Sequence, residues 1–110
     1  MQEVVNEIYN LIHSPLVTPH NLLENCKLKN YNYVKYYVAN DELVCEMECQ
    51  VAENSEQSDR FYYFFSEDNF LQRIERDLGN EEREVLFDRL KEIAASKQSF
   101  MKRKLVDETA

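Results

Sequence analysis

His13, His20, Cys26, Cys45 and Cys49 are the side chains of this chain best suited to hold a metal or pass a proton near neutral pH. A structural zinc site takes four such ligands, usually in closely spaced pairs. The spacing here fits no zinc pattern, and Cys45 and Cys49 sit among apolar residues, so they read as core thiols. No metal and no other cofactor is expected. Four residues of extended chain separate Cys45 from Cys49 by about 13 Å. A disulfide needs Cα atoms within about 7 Å, so the two cannot bridge each other. Neither histidine can be paired with a nucleophile or an acid, and both lie close to Pro15 and Pro19, as residues at helix ends do.

Other catalytic signatures are absent. A single glycine, Gly79, is too few for most phosphate-cradling loops, which need several to bring backbone amides to the ligand. There is no Gly-x-Ser-x-Gly elbow and no His-Glu-x-x-His pair. Glu75, Asp77, Glu81, Glu82, Glu84, Asp88 and Glu92 alternate with Arg76, Arg83, Arg89 and Lys91. Paired carboxylates can do acid–base work, but this mixture reads as the solvated face of a helix. The chain is expected not to be an enzyme.

The elements follow from periodicity. Tyr31 to Val51 reads as two strands joined by Asn40-Asp41, with Ala39 opposite Glu42. One face then carries Val38 against Leu43, Tyr36 against Cys45, Val34 against Met47 and Asn32 against Cys49. The other carries Tyr37 against Val44, Lys35 against Glu46, Tyr33 against Glu48 and Tyr31 against Gln50. A one-residue slip would bury Glu46 and Glu48 and expose Leu43, Cys45 and Met47. Arg60 to Phe65 is a third strand, with Phe61, Tyr63 and Phe65 inward.

Helices precede and follow these strands. Gln2 to His13 repeats Val4, Val5, Ile8, Leu11 and Ile12 at helical spacing and stops at Ser14-Pro15. Thr18 caps a short helix from Pro19 to Cys26 that buries Leu22, Leu23 and Cys26. Glu53 to Asp59, without an apolar residue, is a loop. Ser66 or Asp68 starts a helix over about Asn69–Leu78, with Phe70, Leu71, Ile74 and Leu78 inward and Gly79 as its left-handed terminator. Asn80 caps a last helix with Glu81 and Glu82 in its first turn and Val85, Leu86, Leu90, Ile93 and Ala94 inward. Residues 97–110 form its end and tail, where Lys97, Lys102, Arg103 and Lys104 outnumber Asp107 and Glu108. The reading predicts one α+β domain over residues 1–110: a three-stranded antiparallel meander in the order α-α-β-β-β-α-α.

The central α-β-β-β-α order is similar to that of double-stranded-RNA-binding domains. Those place a lysine-rich helix entry after strand three for phosphate contacts. Here that entry is Ser66-Glu67-Asp68-Asn69, opposite in sign. Type III secretion chaperones are a second small acidic α+β class, but they need further strands where this reading leaves only Gly79-Asn80. Neither resemblance is claimed.

Composition narrows the function classes. The 110 residues carry a formal net charge of −8, which disfavours direct binding to nucleic acid or to an anionic membrane. No apolar run is long enough to span a bilayer. Glu3 and Glu7 stand where a signal peptide would need a basic and then an apolar block. A cytoplasmic location is expected, with the thiols reduced.

The informative surplus is aromatic: seven tyrosines and six phenylalanines, concentrated in the strands. On the outer face Tyr31, Tyr33, Tyr37, Val44, Tyr62 and Phe64 form a candidate interface. Five half-exposed rings would show about 400–600 Å², and a patch of that size marks a protein contact unless the N-terminal helix covers it. The leading expectation is a small interaction protein: an antagonist, an immunity-type partner or a homodimeric module. One alternative is an acidic nucleic-acid mimic that blocks a DNA- or RNA-binding protein. Another is a small enzyme or ligand-binding protein.

Overall fold

The computed structural model describes residues 2–50 and 57–109, and within them the side chains of residues 6–50 and 57–102. Helix α1 (Gln2–His13) is followed by the short helix α2 (Pro19–Leu23) and a 3₁₀ turn (Glu24–Lys27). Strands β1 (Tyr31–Ala39), β2 (Glu42–Cys49), β3 (Asp59–Phe65), β4 (Leu71–Gly79) and β5 (Glu82–Asp88) come next, and helix α3 (Arg89–Thr109) closes the chain. The five strands form one antiparallel meander in sequence order. The fold is therefore α+β, with three helices and five strands rather than three.

The first hairpin has the expected register: Val38 faces Leu43, Lys35 faces Glu46 and Val34 faces Met47. Its two turn residues, Asn40 and Asp41, both take positive φ, at 52° and 64°, which matches the right-handed twist of the strands it joins. The register departs from expectation at one end. A bulge at Asn32 pairs Tyr31 with Cys49, so Tyr31 packs with the inner cluster and Asn32 is exposed. An asparagine among thiols and rings would lack partners. Outside, its Nδ2 donates to Glu48 Oε1 at 2.8 Å and to Ser58 Oγ at 3.1 Å.

The expected helix over Asn69–Leu78 is instead strand β4, and the start of the expected last helix is strand β5. Ser66, expected to cap a helix, closes the loop between β3 and β4: its backbone N–H donates to Phe70 O and its Oγ accepts from Phe70 N. Gly79 ends a strand, not a helix, at φ +85°, and Asn80-Glu81 form a second turn with positive φ at both residues. Asn80 caps no helix. Asp88 does, its Oδ1 accepting from Lys91 N at 3.1 Å. The topological likeness to double-stranded-RNA-binding domains fails with the missing helix.

Bulges give these strands their helix-like spacing of apolar residues. Phe64 pairs with Arg73 but Phe65 with Leu71, so Gln72 is an extra residue. That shift turns Leu71 and Ile74, three apart, to the same inner face. Leu86 is the extra residue between Val85 and Phe87, and Leu78 the one between Asp77 and Gly79. Both leucines are consequently half-exposed.

The inner face holds the main core: Leu22 of α2, with Cys45, Met47, Phe65 and Leu71. Thr18 caps α2 as expected, accepting from Asn21 N while the Asn21 side chain accepts from Thr18 N. Of the short helix only Leu22 is buried; Leu23 and Cys26 face solvent, because five residues offer a single inward position. Helix α1 packs on α3, and among the described residues none of α1 joins the buried cluster of the outer face. The expected inward Val4 and Val5 fall outside the described side chains, as do Arg103, Lys104, Asp107 and Glu108. The expected loop lies outside the described residues at 53–56, and Asp59 opens β3.

Candidate functional site: the outer face of the sheet

Five of the six expected interface residues share the outer face. Tyr33 and Tyr37 come from β1, Val44 from β2, and Tyr62 and Phe64 from β3; Tyr31 is the exception, turned inward by the bulge. Val44, Tyr62 and Phe64 form a second buried cluster in which no described helix residue takes part. Cations cover its two rings instead. The Arg73 guanidinium lies 3.8 Å from the Phe64 ring centre and that of Arg83 lies 3.7 Å from Tyr62. Such stacking satisfies the ring faces and leaves the guanidinium edges free for carboxylates.

Those edges are used. Arg73 Nε donates to Glu75 Oε2 at 2.5 Å and its Nη2 to Glu42 Oε1 at 3.4 Å. Arg83 reaches the other oxygen of Glu75 at 3.3 Å. Arg60 joins Glu48 at 3.4 Å to Asp77 at 3.5 Å. Glu46 is the centre of the β1 side, with only 9% of its surface exposed. It accepts from Tyr33 OH at 2.7 Å and Tyr37 OH at 3.1 Å and pairs with Lys35 Nζ at 3.4 Å. Of the acids and bases expected on a solvated helix face, Glu75, Asp77 and Arg83 thus belong to a cross-strand network laid over aromatic rings.

The network sets protonation. Burial alone would raise the Glu46 carboxyl, but the two tyrosine hydroxyls and Lys35 outweigh it and hold its pKa below the ordinary value. A depressed carboxylate contributes stability above its unfolded pKa and loses it as pH falls through the folded one. Burial first, and Glu46 second, push Tyr33 up to about 12, and the same two causes raise Tyr37. Burial also raises Tyr31, Tyr36 and Tyr63 on the other face. Raised phenols destabilise the folded state as pH climbs past 10, the opposite direction from Glu46. Absorbance titration at 295 nm should therefore show five of the seven tyrosines ionising above the free value of 10. A single wave of seven near pH 10 in folded protein would contradict this packing.

On the inner face a groove of about 280 Å³ opens beside Asn30, Tyr31, Met47, Cys49, Phe61 and Tyr63. Its thiol is not activated. Burial pushes Cys49 up, and Cys45 behind it up to about 11, whereas a nucleophilic cysteine needs a lowered pKa. All three cysteines are free. Thiol titration of denatured, unreduced protein should count three. In folded protein exposed Cys26 should react first, with Cys45 and Cys49 much slower. A denatured count of one, or equal rates in folded protein, would overturn this placement.

Among the described residues no group of three or more histidine, cysteine and acidic side chains could hold a metal, and no described helix is long and apolar enough to cross a membrane. The fold and site together define an α+β domain whose open sheet face is a charged and aromatic plate. No family model matches the chain, no curated protein matches it, and no solved structure matches its fold.

Proposed function

We propose that the chain is a non-enzymatic cytoplasmic module that binds another protein through the outer face of its sheet. The observation that carries this is the plate itself: three strands' worth of tyrosine and arginine side chains held in place by Glu46, Glu75 and Glu42, with no described helix laid over them. Tyrosine and arginine dominate binding hot spots because they offer large contact area at little entropic cost when already ordered. Tyr33, Tyr37 and Arg83 are ordered by ion pairs and hydrogen bonds before any partner arrives.

The plate favours a different protein over a second copy of this chain. Tyr62 and Phe64 lie under guanidinium groups, so the bare apolar area is smaller than ring counting implies. Obligate homodimer interfaces are the more hydrophobic kind. The nucleic-acid-mimic reading needs unpaired carboxylates in a spaced stripe. Glu42, Glu46, Glu48, Glu75 and Asp77 instead each have a basic partner on this face. The enzyme reading would use the inner groove, or a second groove of about 310 Å³ beside Glu48, Arg60 and Asp77, and both are at the small end of the usual range for ligand pockets.

Comparative capture from the source cells tests the proposal, using wild type, Tyr37→Ala and a control variant on the 3₁₀ turn, Lys27→Ala. A partner held by wild type and the control, and bound at least tenfold more weakly by Tyr37→Ala, is the expected result. A partner bound equally by all three would place the contact elsewhere.

A further inference from the structure

Helices α1 and α3 pack against each other at one end of the molecule. Arg89, at the start of α3, bonds the carbonyl of Leu11 near the end of α1, so the pair is antiparallel. Ile8 and Leu11 on α1, and Ile93 and Phe100 on α3, are half-buried between them. Each helix also carries a second apolar stripe that the described residues leave exposed. On α1 it is Tyr9, 62% exposed, and Ile12, 41%; on α3 it is Leu90, 74%, and Met101, 54%.

The stripes are placed by helix geometry. At about 100° per residue, Tyr9 and Ile12 lie roughly 100° round from Ile8 and Leu11, and Leu90 and Met101 lie roughly 80° round from Ile93 and Phe100. Both offsets have the same sense along their own helices. In an antiparallel pair the same sense turns both second stripes to the same side. A helix with two apolar stripes about a right angle apart is a helix with two neighbours, as in a four-helix bundle.

The amount of bare surface agrees. A compact monomer of 13.2 kDa exposes about 6,400 Å², whereas this chain exposes 8043 Å². Its radius of gyration is 17.3 Å, against about 13 Å for a compact chain of this length. The surplus exceeds the roughly 800 Å² per partner of a standard interface. We infer that the occupant is a second copy of this chain, docking α1 and α3 against the same two helices across a two-fold axis to complete a four-helix bundle. This interface is self-complementary, as a two-fold contact requires. It leaves both outer sheet faces free, and it does not rest on the reading of those faces.

Light scattering behind size exclusion, on the full chain, tests it. Wild type should run at twice 13.2 kDa, and its thermal midpoint should rise with protein concentration, as linked dimers do. Leu90→Glu and Met101→Glu should each lower the mass toward one chain, while Tyr37→Ala on the sheet keeps the dimer. A wild-type monomer at every concentration, with a concentration-independent midpoint, would overturn the inference. So would a dimer untouched by both glutamate variants. Loss of the dimer with partner capture intact separates this interface from the sheet face.

Discussion

Replacing Arg89 by methionine should cost about 3–5 kcal/mol of folding stability, read as a lowered urea midpoint, because the guanidinium serves buried carbonyls of three separate segments and each acceptor left short of a donor costs about 1–3 kcal/mol. Arg89 is 4% exposed. Its Nε donates to Leu71 O at 2.6 Å, its Nη1 to Leu11 O, and its Nη2 to Pro15 O at 3.2 Å. Those carbonyls belong to the start of β4, the end of α1 and the connection to α2. Pro15 O also accepts from Leu71 N, so one crossing point ties the helix pair to the sheet. Burial lowers the guanidinium's pKa, yet arginine stays charged, and Leu11 O offers the negative end of the α1 dipole. Methionine fills similar space but takes the guanidinium donors from Leu71 O and Leu11 O and leaves Pro15 O with Leu71 N alone. Arg89→Lys should recover only part of the loss, since one ammonium cannot span the fork. A change within about 0.5 kcal/mol, the range of surface substitutions, would show that this crossing point is not buried in solution.

Met47→Asp should leave no folded protein at room temperature, with an expected cost above about 4 kcal/mol. Met47 is fully buried at the middle of the inner face, with Val34 opposite on β1 and Phe61 opposite on β3. No basic side chain belongs to that cluster. A carboxylate there would be desolvated without a partner, or protonated at the expense of its usual pKa. Circular dichroism and denaturant unfolding measure the effect. A folded variant of near-normal stability would contradict the inward direction of β2 and, with it, the hairpin register.

The first three strands were legible because each alternates cleanly and the hairpin pairs Lys35 with Glu46 in the same register that buries Met47. The last two strands were not. Phe70, Leu71, Ile74 and Leu78 recur at helical spacing, and Gln72, Arg73, Glu75 and Arg76 are good helix formers. The bulges at Gln72, Leu78 and Leu86 shift the two-residue period and imitate the helical one. What decides for strand is tertiary: Arg73 and Arg83 reach the rings of Phe64 and Tyr62 only when β4 lies beside β3. One local signal was available. Asn80-Glu81 echoes Asn40-Asp41, and both turns hold two residues at positive φ. At the site, strand alternation puts the outer aromatics on one face except Tyr31, whereas their charged cover is not legible, since Arg73 and Arg83 stand in stretches of helical period. Arg89 left no trace in the sequence, because its partners are backbone carbonyls.

Photo-crosslinking from the sheet face tests the functional claim most directly. A photoreactive phenylalanine analogue at position 37, expressed in the source cells, should give one dominant adduct with a different protein. The same analogue at position 28, in the exposed turn before β1, should give none of that adduct. Adducts of equal yield from both positions, or no heterologous adduct from position 37 in folded protein, would contradict a binding surface on the outer face.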